Sequence, residues 1–137
     1  ISPETVDEAM LAFGMPMGPV ELADTVGLDI AVAAGQQLAG GAAAPRCLLE
    51  RVEKGQLGKK TGQGFYAWNA GKAQKGGAGT PPDGLAARLV KPLIDRVEQL
   101  VTTGVVADAE LADAGVIFGT GFAPFTGGPL NYRRTEK

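Results

Sequence analysis

The sequence contains no histidine, a single cysteine and few aromatic residues, and the first two absences exclude particular functions. Without histidine the chain lacks the side chain that most often serves as a general base near neutral pH. The single cysteine, Cys47, excludes an internal disulfide and agrees with a reducing compartment. We therefore expect a cytoplasmic protein, and we assign no metal-ligating residue.

Charge and hydropathy exclude further classes of protein. The 13 lysines and arginines nearly balance the 15 acids, for a net charge of −2, so the basic surface of a nucleic-acid-binding protein is missing. Apolar runs are too short to span a membrane, and the chain does not open with a signal peptide. An apolar content of 45% is normal for a globular protein and allows a sizeable core.

Turn residues and apolar periodicity predict a helical protein. Ser2-Pro3-Glu4 has the order of a helix start, a hydroxyl cap followed by proline and an acid, and predicts a helix to about Ala12. Further helices are predicted from Pro19 to near Gly27, from Ile30 to Leu38 with Asp29 as cap, and from Pro45 to Gly55. Only the segment from Phe65 to Trp68 has the composition of a strand.

Residues 69–84 separate two periodic halves of the chain. They are rich in glycine and proline and contain almost nothing large and apolar, which is typical of a flexible linker. A long helix is predicted after them from the spacing of Leu85, Leu89, Leu93, Val97, Leu100 and Val101. Pro92 inside this stretch predicts a kink or a helix start. Asp108 then predicts the cap of a helix ending near Phe118.

The two halves contain similar motifs. Phe13-Gly14 and Gly18-Pro19-Val20 recur in the same order as Phe118-Gly119 and Gly128-Pro129-Leu130, and the segment Ile1–Val6 echoes Val106–Leu111. Internal duplication and chance similarity of glycine-proline turns both produce such a pattern, and the shared order favours duplication. Under duplication the first repeat lacks its first helix and the second lacks its last elements. The initial Ile1 then marks a cut.

Two segments carry a resemblance to a known family. Met17–Asp24 (MGPVELAD) and Lys59–Tyr66 (KKTGQGFY), supported by Gly119–Phe125, resemble the C-terminal helical domain of the 3-hydroxyacyl-CoA dehydrogenases. The match resembles the tandem form of the fatty-acid-oxidation multifunctional enzymes. It implies an all-α fold of two related helical repeats, both incomplete here and similar to the C-terminal domain of 6-phosphogluconate dehydrogenase. The implied division is 1–69 for the first repeat, 70–84 for a linker and 85–137 for the second.

The resemblance also implies a function. Members of this family oxidise a 3-hydroxyacyl-CoA with NAD in β-oxidation, and they carry a catalytic histidine-glutamate pair on a separate nucleotide-binding domain. This sequence has no counterpart of that pair. The run Gly58–Gly64 follows a predicted helix rather than a strand, so we reject it as a dinucleotide-binding turn. We assign no catalytic residue and expect the segment alone to be inactive.

The implied partners are the acyl-CoA substrate, the chain's own nucleotide-binding domain and a second subunit in a homo-oligomer. Fusion to an upstream hydratase domain remains open. Two alternatives also remain. One is the helical domain of another β-hydroxyacid-type dehydrogenase, and the other is a stand-alone helical dimerisation module without an attached enzyme.

Two residues are candidates for binding. From composition alone, Lys59 and Lys60 have the character of a solvated surface pair, whereas the resemblance implies that Lys60 reaches the NAD bound on the partner domain. Phe118 occupies the position at which multifunctional relatives often carry a substrate-associated tyrosine, so the resemblance implies an apolar wall for substrate. A core aromatic at a helix end is the alternative for Phe118. We interpret Thr61 as a residue that shapes the backbone, and four aromatics as packing residues: Tyr66, Trp68, Phe122 and Phe125.

Overall fold

The computed structural model describes residues 1–136, which form a helical protein with one small hairpin. The helices within this range are α1 (Pro3–Phe13), α2 (Pro19–Val26), α3 (Leu28–Leu38), α4 (Arg46–Glu53), α5 (Leu85–Thr102), α6 (Ala109–Thr120) and α7 (Pro129–Thr135). Strands β1 (Ala67–Asn69) and β2 (Lys72–Gln74) pair antiparallel. Short 3-10 turns cover Lys59–Thr61 and Pro124–Thr126. The prediction of a predominantly helical fold is confirmed.

Three local elements depart from those predicted. Helix α3 begins at Leu28 with Gly27 as its N-cap, and the expected cap by the Asp29 side chain is absent. Helix α5 runs without a break through Pro92, so the predicted alternative of a helix start there is wrong. The interval taken as a flexible linker contains β2, which composition could not reveal because Lys72–Gln74 lacks β-branched and aromatic residues.

The chain divides into two compact units. Unit 1 comprises residues 1–7 and 17–79, and unit 2 comprises residues 8–16 together with the chain from residue 80 onward. The boundary therefore falls inside α1. The division into repeats at residues 69 and 85 concerns ancestry rather than compactness, and it stays a prediction.

Unit 2 has an apolar core. Its buried members are Met10, Val90, Ile94, Phe122 and Ala123. The Phe13 ring packs edge-on against the rings of Phe122 and Tyr132, at centroid distances of 5.6 and 5.1 Å. In α5 the predicted apolar series holds for Leu85 and Val97, which are buried, whereas Leu89 is 40% exposed and the neighbouring Val90 is buried in its place. Periodicity identified the helix, and its packing partners set the orientation.

The two units share one arrangement, an aspartate that caps the next helix in the fold. In unit 1 the Asp7 carboxylate accepts the N–H groups of Val20 and Glu21 at the start of α2, at 2.7 and 3.1 Å. In unit 2 the Asp113 carboxylate accepts those of Leu130 and Asn131 at the start of α7, at 2.7 and 3.0 Å. Each aspartate satisfies two N–H groups that a helix start leaves without a partner.

These caps keep the predicted match of Gly18-Pro19-Val20 with Gly128-Pro129-Leu130, and they move the match of the preceding helices by one residue. They pair Asp7 with Asp113, and they pair Ser2 with Asp108, each of which accepts the N–H of the residue three positions later. The predicted match of Phe13 with Phe118 is therefore wrong. Phe13 packs against the core of unit 2, whereas the Phe118 side chain is 89% exposed. The sequence comparison aligned the glycines that follow the two helices. In the structure, the equivalent residues of the two units are the side chains that cap helix starts.

Candidate functional site

Asp24 joins the two segments that gave the most specific motifs. The residue lies on α2 and is fully buried. Its carboxylate accepts the N–H groups of Phe65 and Tyr66, both at 2.9 Å, and the indole Nε1–H of Trp68 at 3.0 Å. Three donors compensate the cost of burying the charge. Helix α2 thereby fixes one end of the glycine-rich run.

Thr61 closes the lysine-bearing turn of that run. Its Oγ1 accepts the N–H of Leu57 at 2.9 Å and lies within hydrogen-bonding distance of the carbonyl oxygens of Gly58 and Gln63, at 3.2 and 3.0 Å. The interpretation of Thr61 as a backbone-shaping residue is confirmed. With both ends of the run anchored, the turn presents its lysines from a defined backbone.

The two adjacent lysines have different surroundings. The Lys60 Nζ lies 2.6 Å from Asp29 Oδ1, and 45% of the Lys60 side chain is exposed. The hydrogen bond from Lys60 holds the pKa of the Asp29 carboxyl below its usual value. The Lys59 Nζ lies 5.7 Å from the ring centroid of Trp68, within range of a cation–π interaction. Lys60 therefore faces the start of α3, whereas Lys59 faces the hairpin.

A second group of charges surrounds the buried Asp7. The Tyr66 hydroxyl donates to Asp7 Oδ2 at 2.7 Å, and the Lys75 Nζ lies 3.6 Å from the same oxygen and 2.6 Å from Glu21 Oε2. Burial, together with the hydrogen bond to Asp7, raises the pKa of the Tyr66 hydroxyl. Burial lowers the pKa of the Lys75 ammonium, but the hydrogen bond and charge of Glu21, aided by Asp7, outweigh it and leave a raised pKa.

The sequence analysis missed Asp7 and Asp24 as organising residues. A signal was available for Asp24, which follows the apolar pair Leu22-Ala23 on a short helix, whereas Asp7 has the acids Glu4 and Glu8 nearby and gave no such signal. An acid in such a place needs donors nearby. The glycine-rich run and Tyr66 supply them, but only the fold brings these groups within reach.

Phe118 lies on the surface of α6 in unit 2, whereas Lys60 belongs to unit 1. The Phe118 side chain is 89% exposed, so the alternative of a core aromatic is wrong. A groove beside it is lined by residues that include Ala114, Ile117, Asn131 and Arg134. Among the predicted packing aromatics, Tyr66 and Phe122 are buried, Trp68 is half-buried and Phe125 is 77% exposed. The Phe125 ring nevertheless packs against Gly14, where an added Cβ would be 2.2 Å from its Cε1.

Over residues 1–136, groups of three or more potential metal ligands are absent. None of the helices described is long and apolar enough to cross a bilayer. Cys47 is exposed and has no disulfide partner.

The helices and the small hairpin of residues 1–136 define a class, the all-α helical domains. Residues 1–68 match the family model of the 3-hydroxyacyl-CoA dehydrogenase C-terminal domain, and through this segment the chain belongs to that family. The fatty acid oxidation complex subunit alpha of Shewanella oneidensis is 31% identical over 148 residues, covering 96% of this chain and 21% of that protein. The chain thus spans about a fifth of the length of the curated relatives it matches.

Solved structures extend the fold assignment along the chain. The 3-hydroxybutyryl-CoA dehydrogenase of Escherichia coli K12 has a TM-score of 0.77 at 20% identity, covering 98% of this chain and 48% of its own. The dehydrogenase part of multifunctional enzyme 1 from C. elegans has a TM-score of 0.62 at 22% identity, covering 90% and 31%. At these identities the likeness establishes the fold. The resemblance drawn from the sequence motifs is confirmed.

Proposed function

We propose that this chain is the C-terminal part of an NAD-dependent 3-hydroxyacyl-CoA dehydrogenase of fatty-acid β-oxidation, in the tandem form with two related helical repeats. The match of residues 1–68 to the dehydrogenase C-terminal domain supports this proposal, as do the names of the relatives. The observation that carries it is the lysine turn, anchored through Asp24 and Thr61 and open to solvent at Lys60.

In this function the chain binds and encloses the cofactor and the substrate, and it does not accept the proton of the substrate hydroxyl. When bound, NAD would supply the hydride acceptor for C3 of the 3-hydroxyacyl group, and the hydroxyl proton would go to a base on the nucleotide-binding domain. The present sequence has no histidine for that second task. Its contribution is to close over cofactor and substrate and exclude water, which strengthens electrostatic contacts inside the site.

Lys60 has the properties needed to contact an anionic dinucleotide held by another domain. The turn that contains Lys60 is ordered by hydrogen bonds of Thr61. The Lys60 side chain takes no part in those bonds. Its ammonium is partly exposed and retains donors beyond the one given to Asp29. At a domain interface the effective dielectric falls, and the attraction between ammonium and phosphate grows.

Phe118 supplies an apolar wall for the acyl-CoA substrate. Its near-complete exposure leaves the ring available for contact, and the adjoining groove has apolar lining residues such as Ile117 and polar ones that include Glu110, Asp113, Asn131 and Arg134. An acyl thioester likewise combines an apolar chain with a polar end. Packing of an aromatic ring against an acyl chain is favourable because apolar surface of both the ring and the chain is removed from water.

A second subunit covers exposed apolar residues of unit 1. Leu22 and Val26, one helical turn apart on α2, and Ile30 on α3 are each about half exposed. Apolar residues grouped in this way mark contact surfaces. We assign them to the subunit interface of a homo-oligomer.

The test uses the complete polypeptide that contains this chain and a nucleotide-binding domain. Lys60→Ala should weaken NAD binding roughly ten- to a hundredfold, because a charge-assisted hydrogen bond is lost. The matched control, Lys59→Ala, should change the NAD dissociation constant much less. Both constants are measured by calorimetry, together with melting temperatures. Equal effects of the two substitutions, or a loss of stability without a change in NAD binding, would contradict the proposal.

Substrate choice distinguishes the related alternative. A 3-hydroxyacyl-CoA should be oxidised in preference to short hydroxy acids by the same complete polypeptide. Oxidation of short hydroxy acids alone would favour another β-hydroxyacid-type dehydrogenase.

A further inference from the structure

We propose that Asp29 is a positioning residue for Lys60, holding its ammonium over Gly27 in the orientation in which it binds the anionic cofactor. The inference rests on the proposed function, in which Lys60 contacts NAD. It adds a residue that does not touch the cofactor and acts through the lysine. Two features support it. The Lys60–Asp29 ion pair lies against Gly27, and the Lys60 ammonium has N–H donors that Asp29 does not use.

The ion pair lies against Gly27, in the space that a side chain would occupy at any other residue type. Asp29 is the second residue of α3, two positions after the N-cap Gly27, and its Oδ1 is 2.6 Å from the Lys60 Nζ. A Cβ built on Gly27 would be 2.9 Å from that Nζ and 3.2 Å from the Lys60 Cε. The end of the Lys60 side chain therefore passes close to the backbone at Gly27, where the absence of a side chain leaves room for it. Asp29 and Gly27 together define where the ammonium rests.

The arrangement leaves the ammonium able to bind a second anion. A lysine ammonium has three N–H donors, and Asp29 takes one. The side chains of Lys60 and Asp29 are 45% and 37% exposed, so solvent reaches the pair. A phosphate oxygen can thus accept from Lys60 while Asp29 keeps its own hydrogen bond.

Positioning outweighs repulsion between Asp29 and the anion. Direct contact with the ammonium compensates the charge of Asp29, and solvent screens what remains. Without Asp29 the lysine would sample many rotamers and lose that freedom on binding. Ordering a long side chain in advance removes this cost and increases affinity. Competition between Asp29 and the cofactor predicts the opposite, tighter binding once Asp29 is removed.

The experiment is a double-mutant cycle in the complete polypeptide, with NAD binding measured by calorimetry and kcat measured separately. Asp29→Ala should raise the NAD dissociation constant roughly three- to tenfold, the effect of one unordered side chain, and leave kcat unchanged. In the Lys60→Ala background the same substitution should have no further effect. Asp95→Ala is the matched control, since Asp95 is an exposed carboxylate paired with Lys91 and Arg133 in unit 2. It should leave NAD binding unchanged.

The outcomes separate the two proposals. If Lys60→Ala leaves NAD binding unchanged, the proposed role of Lys60 fails and the inference about Asp29 fails with it. If Lys60→Ala weakens binding but Asp29→Ala leaves it unchanged or tightens it, only the inference about Asp29 is overturned. An equal effect of Asp29→Ala in both backgrounds also overturns it, because Asp29 would then act independently of the lysine. If Asp29→Ala folds poorly, Asp29→Leu, which also has no acceptor for the Lys60 ammonium, is measured in its place with the same criteria.

Discussion

The carboxylate of Asp24 lies so close to Gly64 that a Cβ at position 64 would be 2.3 Å from Oδ1. The buried aspartate and the glycine-rich run therefore require each other. Asp24 needs the N–H donors of Phe65 and Tyr66, and those donors reach it only when residue 64 has no side chain. In this fold the glycines serve close packing around a buried charge, consistent with our rejection of the run as a dinucleotide-binding turn.

Substitution of Gly64 should be destabilising for steric reasons. We expect Gly64→Ala to lower the free energy of unfolding by about 1–3 kcal/mol, the usual cost of overpacking, in urea denaturation. The matched control is Gly115→Ala on α6, where an added Cβ meets nothing within 4 Å. Because alanine is the better helix former, that substitution should stabilise by up to about 1 kcal/mol. A shared sign for the two changes would contradict the packing argument.

Each of the two helix-capping aspartates should stabilise the fold. Asp7→Asn and Asp113→Asn each replace a charged acceptor of two backbone N–H groups by an amide, so each should cost about 1–3 kcal/mol in chemical denaturation. Asp83→Asn, at an exposed position, should stay within about 0.5 kcal/mol of the parent. Finding Asp113→Asn as mild as this control would argue against an equivalent cap in unit 2.

Tyr66 should give the protein an alkaline loss of stability. Its folded pKa is raised above the ordinary value of 10.0, so its contribution is complete below pH 10 and falls as the pH rises toward the folded pKa. Tyr66→Phe loses the hydrogen bond to Asp7 and should be less stable than the parent at pH 8. Above pH 10 that difference should shrink by up to about 1.4 kcal/mol per pH unit. Denaturation of both proteins from pH 8 to 11 measures it, and a constant difference would exclude this role.

Phe118 should matter for substrate and not for folding. In the complete polypeptide, Phe118→Ala should raise KM for a 3-hydroxyacyl-CoA while leaving the melting temperature nearly unchanged, because the side chain is 89% exposed. Phe122→Ala, at a fully buried position, should instead cost about 3–5 kcal/mol of stability. A melting temperature lowered by Phe118→Ala with an unchanged KM would remove Phe118 from the substrate site.

A charge on the exposed face of α2 should weaken self-association. Val26→Glu places a carboxylate one helical turn from the exposed Leu22, where burial against a second subunit would be unfavourable. Light scattering across a concentration series should therefore show a larger monomer fraction than in the parent. Thr25→Glu, at the neighbouring exposed position, is the control. An unchanged assembly would assign the interface to another surface.

Local signals were enough to predict the helices. Proline at helix starts, glycine after helix ends and apolar spacing placed α1, α2, α4 and α6 within a few residues, because these preferences act through the backbone of the residues concerned. The motifs around Met17 and Lys59 were also sufficient for the family, since they record packing that the fold requires. The sequence by itself thus determined the fold class and the type of domain.

Tertiary structure decided how those elements are joined and which side chains remain free. The capping role of Asp113, the burial of Asp24 and the pairing of Lys60 with Asp29 all connect residues far apart in sequence. No local preference encodes such contacts, because each depends on the position of a distant backbone. Exposure of Phe118 and burial of Val90 follow the same rule, since the buried face of a helix is set by what packs against it.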